Sequence, residues 1–103
     1  MKCVYLYHFA EQVIGQQRHY VGYTTNLPRR HAEHTNGQGA QIFKTAFNRK
    51  IGVSLVRVFP NGNKSLELFI KRGVEAHCPM CVMFAAAEFQ LAEAESELAD
   101  EEI

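Results

Sequence analysis

Residues 19–40, HYVGYTTNLPRRHAEHTNGQGA, constrain what this chain can fold into more than any other stretch. Tyr20, Val21 and Tyr23 are aromatic or β-branched and suit a pleated strand. Gly22 interrupts them, the mark of a bulge or of a backbone that another group approaches closely. Thr24, Thr25 and Asn26 then offer side-chain oxygens to cap a helix, and Pro28 fits a helical first turn. In that helix Arg30 and His34 stand four residues apart and share a face, while Arg29 and Glu33 form a second such pair. Asn36, Gly37 and Gly39 tolerate the left-handed backbone that stops a helix. The segment therefore predicts strand, turn, helix and stop.

An arginine and a histidine one turn apart, facing a strand that ends in tyrosine, can converge on a phosphate. The guanidinium neutralises charge developing on a phosphodiester, and histidine or tyrosine handles a proton or orients water. The same spacing also describes a solvated helix face, because i,i+4 pairs are common.

The rest of the chain supplies the other elements. Residues 3–9 read as a strand and residues 11–17 as the loop of a hairpin that returns through 19–23. Ile42, Phe43, Ala46 and Phe47 mark one apolar face of a short helix over 40–49. Residues 51–59 alternate as a third strand, with Val53 and Leu55 on one face and Val56 and Val58 on the other. Pro60-Asn61-Gly62-Asn63 is a turn, and a helix from 65 to about 75 would turn Leu66, Phe69 and Ile70 inward, with Gly73 ending or weakening it. The expected order is β-β-α-α-β-α: an α/β domain around a small three-stranded sheet.

The net charge of zero hides a division. Residues 1–76 hold eleven Lys and Arg against four Glu, a balance of +7, whereas residues 77–103 hold seven acids and no Lys or Arg. A basic body of residues 1–76 followed by an acidic extension over 77–103 implies a polyanionic partner whose attraction the extension opposes. No leader or membrane span is recognisable, and three cysteines cannot all pair, so a reducing cytoplasm is the expected location.

These motifs, in this order, resemble the GIY-YIG nuclease domain. The family's first triplet aligns as Cys3-Val4-Tyr5 and its second as Tyr20-Val21-Gly22. NLPRRHAEH at 26–34 is similar to its Arg- and His-bearing helix, NGQGA at 36–40 to a loop of small members, and SLELFIKR at 65–72 to its Glu-bearing helix. The resemblance covers residues 3–73 and implies a metal-dependent endonuclease that hydrolyses DNA phosphodiesters. It assigns catalysis to Tyr5, Tyr20, Arg30, His34 and Glu67, with Glu67 holding Mg²⁺ or Mn²⁺. One carboxylate suffices for a hard cation that keeps its waters. Tyr5 would act as general base or water-orienting group. Because a phenol ordinarily titrates near ~10, the base role needs a nearby cation to favour the phenolate. Arg29, Lys44, Arg49 and Lys50 are the candidates for contacting the DNA backbone, or else belong to solvated faces. His31, beside Arg30, is expected to face solvent.

The remaining motif is His77-Cys78-Pro79-Met80-Cys81. A CxxC pair is half of a zinc set and needs completion, here by Cys3, His8 or a second copy; cysteines that merely start a helix are the commoner reading. Residues 83–102 read as a helix with Phe84, Ala87, Leu91, Ala94 and Leu98 in a narrow stripe, suited to docking on the domain or to a homodimer. Two other functions stand beside the nuclease: a nucleic-acid-binding module that has lost activity, and an interaction protein working through its C-terminal helix.

Overall fold

The computed structural model describes residues 1–85. Three strands, β1 (Cys3–Phe9), β2 (His19–Thr24) and β3 (Val53–Pro60), form one antiparallel sheet in the order β2-β1-β3. Helices α1 (Leu27–Thr35) and α2 (Gln41–Asn48) lie between β2 and β3, and α3 (Lys64–Lys71) and α4 (Val74–His77) follow β3. This is the expected α/β architecture.

Central position explains β1. All seven of its residues are buried, because both edges are paired and both faces are covered. Alternation along the strand divides the core in two. Tyr5, Tyr7 and Phe9 pack with Ile42, Phe43 and Ala46 of α2 on one face. Val4 and Leu6 pack with Val21, Ile70 and Cys78 on the other.

The helix boundaries follow local chemistry. Asn26 caps α1 by accepting from the Arg29 amide at 3.2 Å, and Thr24 Oγ1 in turn accepts from the Asn26 amide at 3.1 Å. Asn63 caps α3 in the same way, accepting from the Leu66 amide at 2.9 Å. Gly73 ends the run: the helix stops before Arg72–Gly73, which form a turn, and resumes as the one-turn α4.

Three expectations need correction. The third strand begins at Val53, leaving Ile51 buried against the first core as a loop residue. Its two faces are not as the simple alternation predicts, because a bulge opposite Leu6 and Tyr7 inserts one residue. Val58 thereby joins Val53 and Leu55 in the Tyr5 face, while Val56 and Phe59 join the other. Phe47 and Phe69 are not inward: they are 57% and 62% exposed. Both helices are eight residues long; α2 buries Ile42, Phe43 and Ala46, and α3 buries Glu67 and Ile70. Helical structure runs from residue 79 to 85, and Phe84 is exposed there; the rest of the expected C-terminal helix, its apolar stripe and the homodimer built on it lie outside the described residues.

Candidate active site

Helix α1 buries only one of its residues, His34. An amphipathic helix would normally turn aliphatic side chains inward. Here the inward group is an imidazole, and the aromatic face of the sheet is built to receive it. Phe43 stacks on the His34 ring at 3.8 Å between centroids and 12° between planes. Tyr20 and Tyr7 approach edge-on at 5.4 and 5.6 Å. Such contacts contribute about 0.5–1.5 kcal/mol each beyond burial.

The hydrogen bonds of His34 fix its tautomer. Nδ1 lies 3.0 Å from the carbonyl oxygen of Gln38, which can only accept, so Nδ1 carries the proton. Nε2 is therefore the acceptor for the Tyr5 hydroxyl, 2.9 Å away. Burial holds the His34 pKa below its ordinary value, with Arg30 pushing the same way against the Gln38 hydrogen bond. The neutral form that accepts from Tyr5 is thus the one present near neutrality.

Tyr5 does not become a phenolate. Burial, and then the neighbouring Tyr20, raise its pKa, and the opposing pull of Arg30 is weaker than both. The cation required for the base role is present but loses to desolvation. At neutral pH Tyr5 is a phenol that donates to His34.

Two glycines give this cluster room. A Cβ on Gly22, the residue paired with Tyr5 across the β1–β2 ladder, would stand 2.4 Å from Tyr5 Cζ and from its hydroxyl oxygen. Gly39 has φ +93°, and a Cβ there would meet His34 Cε1 at 2.7 Å. Each glycine sits where one catalytic-candidate ring passes over backbone.

The other expected residues fall around this centre. Tyr20 shares the Tyr5 face, with ring centroids 6.2 Å apart. Arg30 is about one-third exposed and pairs with Glu33 at 3.3 Å. Glu67 is buried on α3, its carboxylate held by Lys71 at 3.1 Å and Lys64 at 3.6 Å. Arg30 pulls the Tyr5 pKa down and Glu67 pushes it up, both more weakly than burial. Arg29 is exposed and pairs with Glu33 at 3.6 Å, and Lys44 and Lys50 are exposed. Arg49 is engaged elsewhere: it donates to Val13 O at 3.0 Å and pairs with Glu11 at 3.3 Å, tying the end of α2 to the hairpin loop.

Sequence reasoning missed part of the cluster. His31 is not simply solvated: its Nδ1 lies 2.7 Å from the Tyr7 hydroxyl, and the two rings stack 4° from parallel. Burial pushes the Tyr7 phenol up to about 12. The signal was present in the spacing, since Tyr7 is two residues from Tyr5 on the strand and His31 three before His34 on the helix.

No curated protein and no solved structure matches the chain. A family model for the GIY-YIG catalytic domain does match, over residues 1–77, a span that takes in the whole sheet, the Tyr5–His34 pair and the Glu67 helix. Members of this family are generally nucleases, and among the described residues no helix is long and apolar enough to cross a membrane. A match over 77 of 103 residues places this chain in the GIY-YIG family.

Proposed function

We propose that the protein is an endonuclease that hydrolyses DNA phosphodiester bonds with Mg²⁺ or Mn²⁺, using Tyr5, Tyr20, Arg30, His34 and Glu67. The observation that carries this reading is the polarised pair in which the Tyr5 hydroxyl donates to neutral His34 at 2.9 Å. A buried phenol–imidazole pair whose members satisfy each other keeps both polar groups out of water without an orphaned donor or acceptor. It is well suited to moving a proton.

The attacking water would lie against the Tyr5 oxygen. As the water's oxygen bonds to phosphorus, its proton passes to Tyr5, and the Tyr5 proton passes to His34 Nε2. Gln38 O, already bound to Nδ1–H, then stabilises the imidazolium. Tyr20, on the same face, would restrict where the water can sit. Arg30, released from Glu33, would donate to the non-bridging phosphate oxygens as charge develops there. Arg29 remains to pair with Glu33.

Glu67 fits a hard divalent cation. It presents one well-held carboxylate, and the two ammonium groups now on it belong to lysines whose side chains are 49% and 76% exposed, free to move away. A cation bound there would supply Lewis-acid polarisation of the phosphate and charge stabilisation for the leaving oxygen. Lys44 and Lys50 are exposed and able to follow the DNA backbone; Arg29 would do so only by leaving Glu33, and Arg49 only by leaving Glu11.

The test is nicking of supercoiled plasmid with and without Mg²⁺. Cleavage should require the metal, and Arg30→Ala should slow it about 10²-fold or more with little effect on folding. Arg30→Lys should recover little, because an ammonium does not replace the planar fork. Unchanged cleavage by Arg30→Ala, or cleavage that persists in EDTA, would refute the mechanism.

A further inference from the structure

The face of the sheet opposite Tyr5 carries a second cluster that the phosphodiester chemistry does not use. His8 and His19 are directly paired across the β1–β2 ladder, and their rings lie 5.1 Å apart. The turn at Gly73 and the short α4 return Cys78 and Cys81 to the same place. Four ligand atoms, His8 Nδ1, His19 Nε2 and the two Sγ atoms, all lie within 4.8 Å of one another.

Four of the six spacings among them match the edges of a tetrahedron. Zn–N bonds of about 2.0 Å and Zn–S bonds of about 2.3 Å imply edges of about 3.3 Å between nitrogens and about 3.6 Å from nitrogen to sulfur. The two nitrogens are 3.2 Å apart, Cys78 Sγ is 3.4 Å from His8 Nδ1, and Cys81 Sγ is 3.3 Å from His19 Nε2 and 3.8 Å from His8 Nδ1.

Hydrogen bonding does not account for this convergence. His8 Nδ1 is approached by three atoms, yet a ring nitrogen has either one lone pair or one N–H to offer. At most one of the three contacts can be a proper hydrogen bond. A cation at the centre satisfies all four atoms at once.

We propose that His8, His19, Cys78 and Cys81 form a closed structural zinc site. Zn²⁺ is the cation that the donor set selects, since two thiolates and two imidazoles in a tetrahedron are its common structural shell. Two thiolates cancel the charge of the ion, so the site is neutral overall and suits the buried surroundings of His8 and Cys78. On binding, the two thiols release their protons to solvent and the imidazoles bind as neutral ligands. With all four positions filled by protein, the ion has none left for substrate. Its work is to clamp the segment after α4 onto the β1–β2 hairpin, whose far face carries Tyr5 and Tyr20.

The experiment uses the full chain, purified without chelator under reducing conditions. Elemental analysis should find about one tightly held zinc per chain, and Co²⁺ exchanged for it should show the intense visible absorption of a tetrahedral cobalt–thiolate centre. Stripping the metal should lower Tm by about 10 °C or more, and re-adding Zn²⁺ should restore it. Cys81→Ser and His19→Ala should each lose the zinc and the cobalt spectrum, whereas His77→Ala should keep both. These readouts do not involve cleavage. A zinc content below about a tenth of the chains, with no cobalt–thiolate absorption and a Tm indifferent to chelation, would overturn the proposal. So would a Cys78–Cys81 disulfide in the protein as purified under reducing conditions.

Discussion

Gly22→Ala is the sharpest perturbation of the candidate active site, because it adds one methyl group and leaves every catalytic candidate's own side chain unchanged. The new Cβ would sit 2.4 Å from Tyr5 Cζ and hydroxyl oxygen, where ordinary van der Waals contact begins at 3.4 Å, so the ring must move by about 1 Å. It has no free direction, since Tyr7 stands edge-on at 5.6 Å, His34 lies at 5.7 Å, and the ring is buried. Overpacking of this kind costs about 1–3 kcal/mol, and stretching the 2.9 Å bond to His34 forfeits about 1 kcal/mol more. The sum, about 2–4 kcal/mol, should lower the urea midpoint and reduce Tm by roughly 10–25 °C in a domain of this size. Displacing the Tyr5 oxygen by about 1 Å should also slow plasmid nicking about 10²-fold, measured where the protein remains folded. A double-mutant cycle isolates the cause. In a Tyr5→Leu background the clash partner is gone, and the same glycine change should cost under about 0.5 kcal/mol. Equal costs in both backgrounds would refute the reasoning, for the effect would then belong to the β2 backbone and not to the Tyr5 ring.

Glu67→Gln keeps the shape of the side chain and removes its charge, so Mg²⁺-dependent nicking should disappear while DNA binding, followed by gel shift, stays the same or tightens. His34 gives a pH signature. Its folded pKa lies below the ordinary histidine value, so its stability contribution is complete above pH ~6.5 and is lost as pH falls toward the folded value. Between pH 7 and 5.5 the urea midpoint of the wild type should therefore fall more steeply than that of His34→Gln, and equal slopes would contradict the burial argument. Deleting residues 86–103 removes all seven acids of the extension and should raise DNA affinity at low salt, with the gain shrinking as salt is added. Unchanged low-salt affinity would show that the acids do not oppose binding.

Local chemistry made much of this protein legible from its sequence. Asn26 and Asn63 cap helices because a side-chain oxygen three residues before an amide needs no distant partner. The spacing of Arg30 and His34 places them on one helical face whatever surrounds the helix. Alternation along β1 likewise puts Tyr5 and Tyr7 together, and opposite His8, before any partner is known. The three-stranded α/β plan followed from those local signals and from the order of the motifs.

Tertiary structure decided what those residues become. Whether Tyr5 ionises depends on burial against a cation's pull, and only packing sets the two distances that compete. The bulge opposite Leu6 and Tyr7 moved Val58 to the other face of β3, a change that the alternation of β3 alone cannot reveal. His31 found Tyr7, and Arg49 found Glu11, across 24 and 38 residues of chain. The second cluster shows the limit most plainly. CxxC at 78–81 is half a site in sequence, and its other half is His8 and His19, brought together by hairpin register. Sequence spacing specifies partners within a turn of helix or a step of strand; partners seventy residues apart are specified only by which faces bury together, and that is a property of the whole fold.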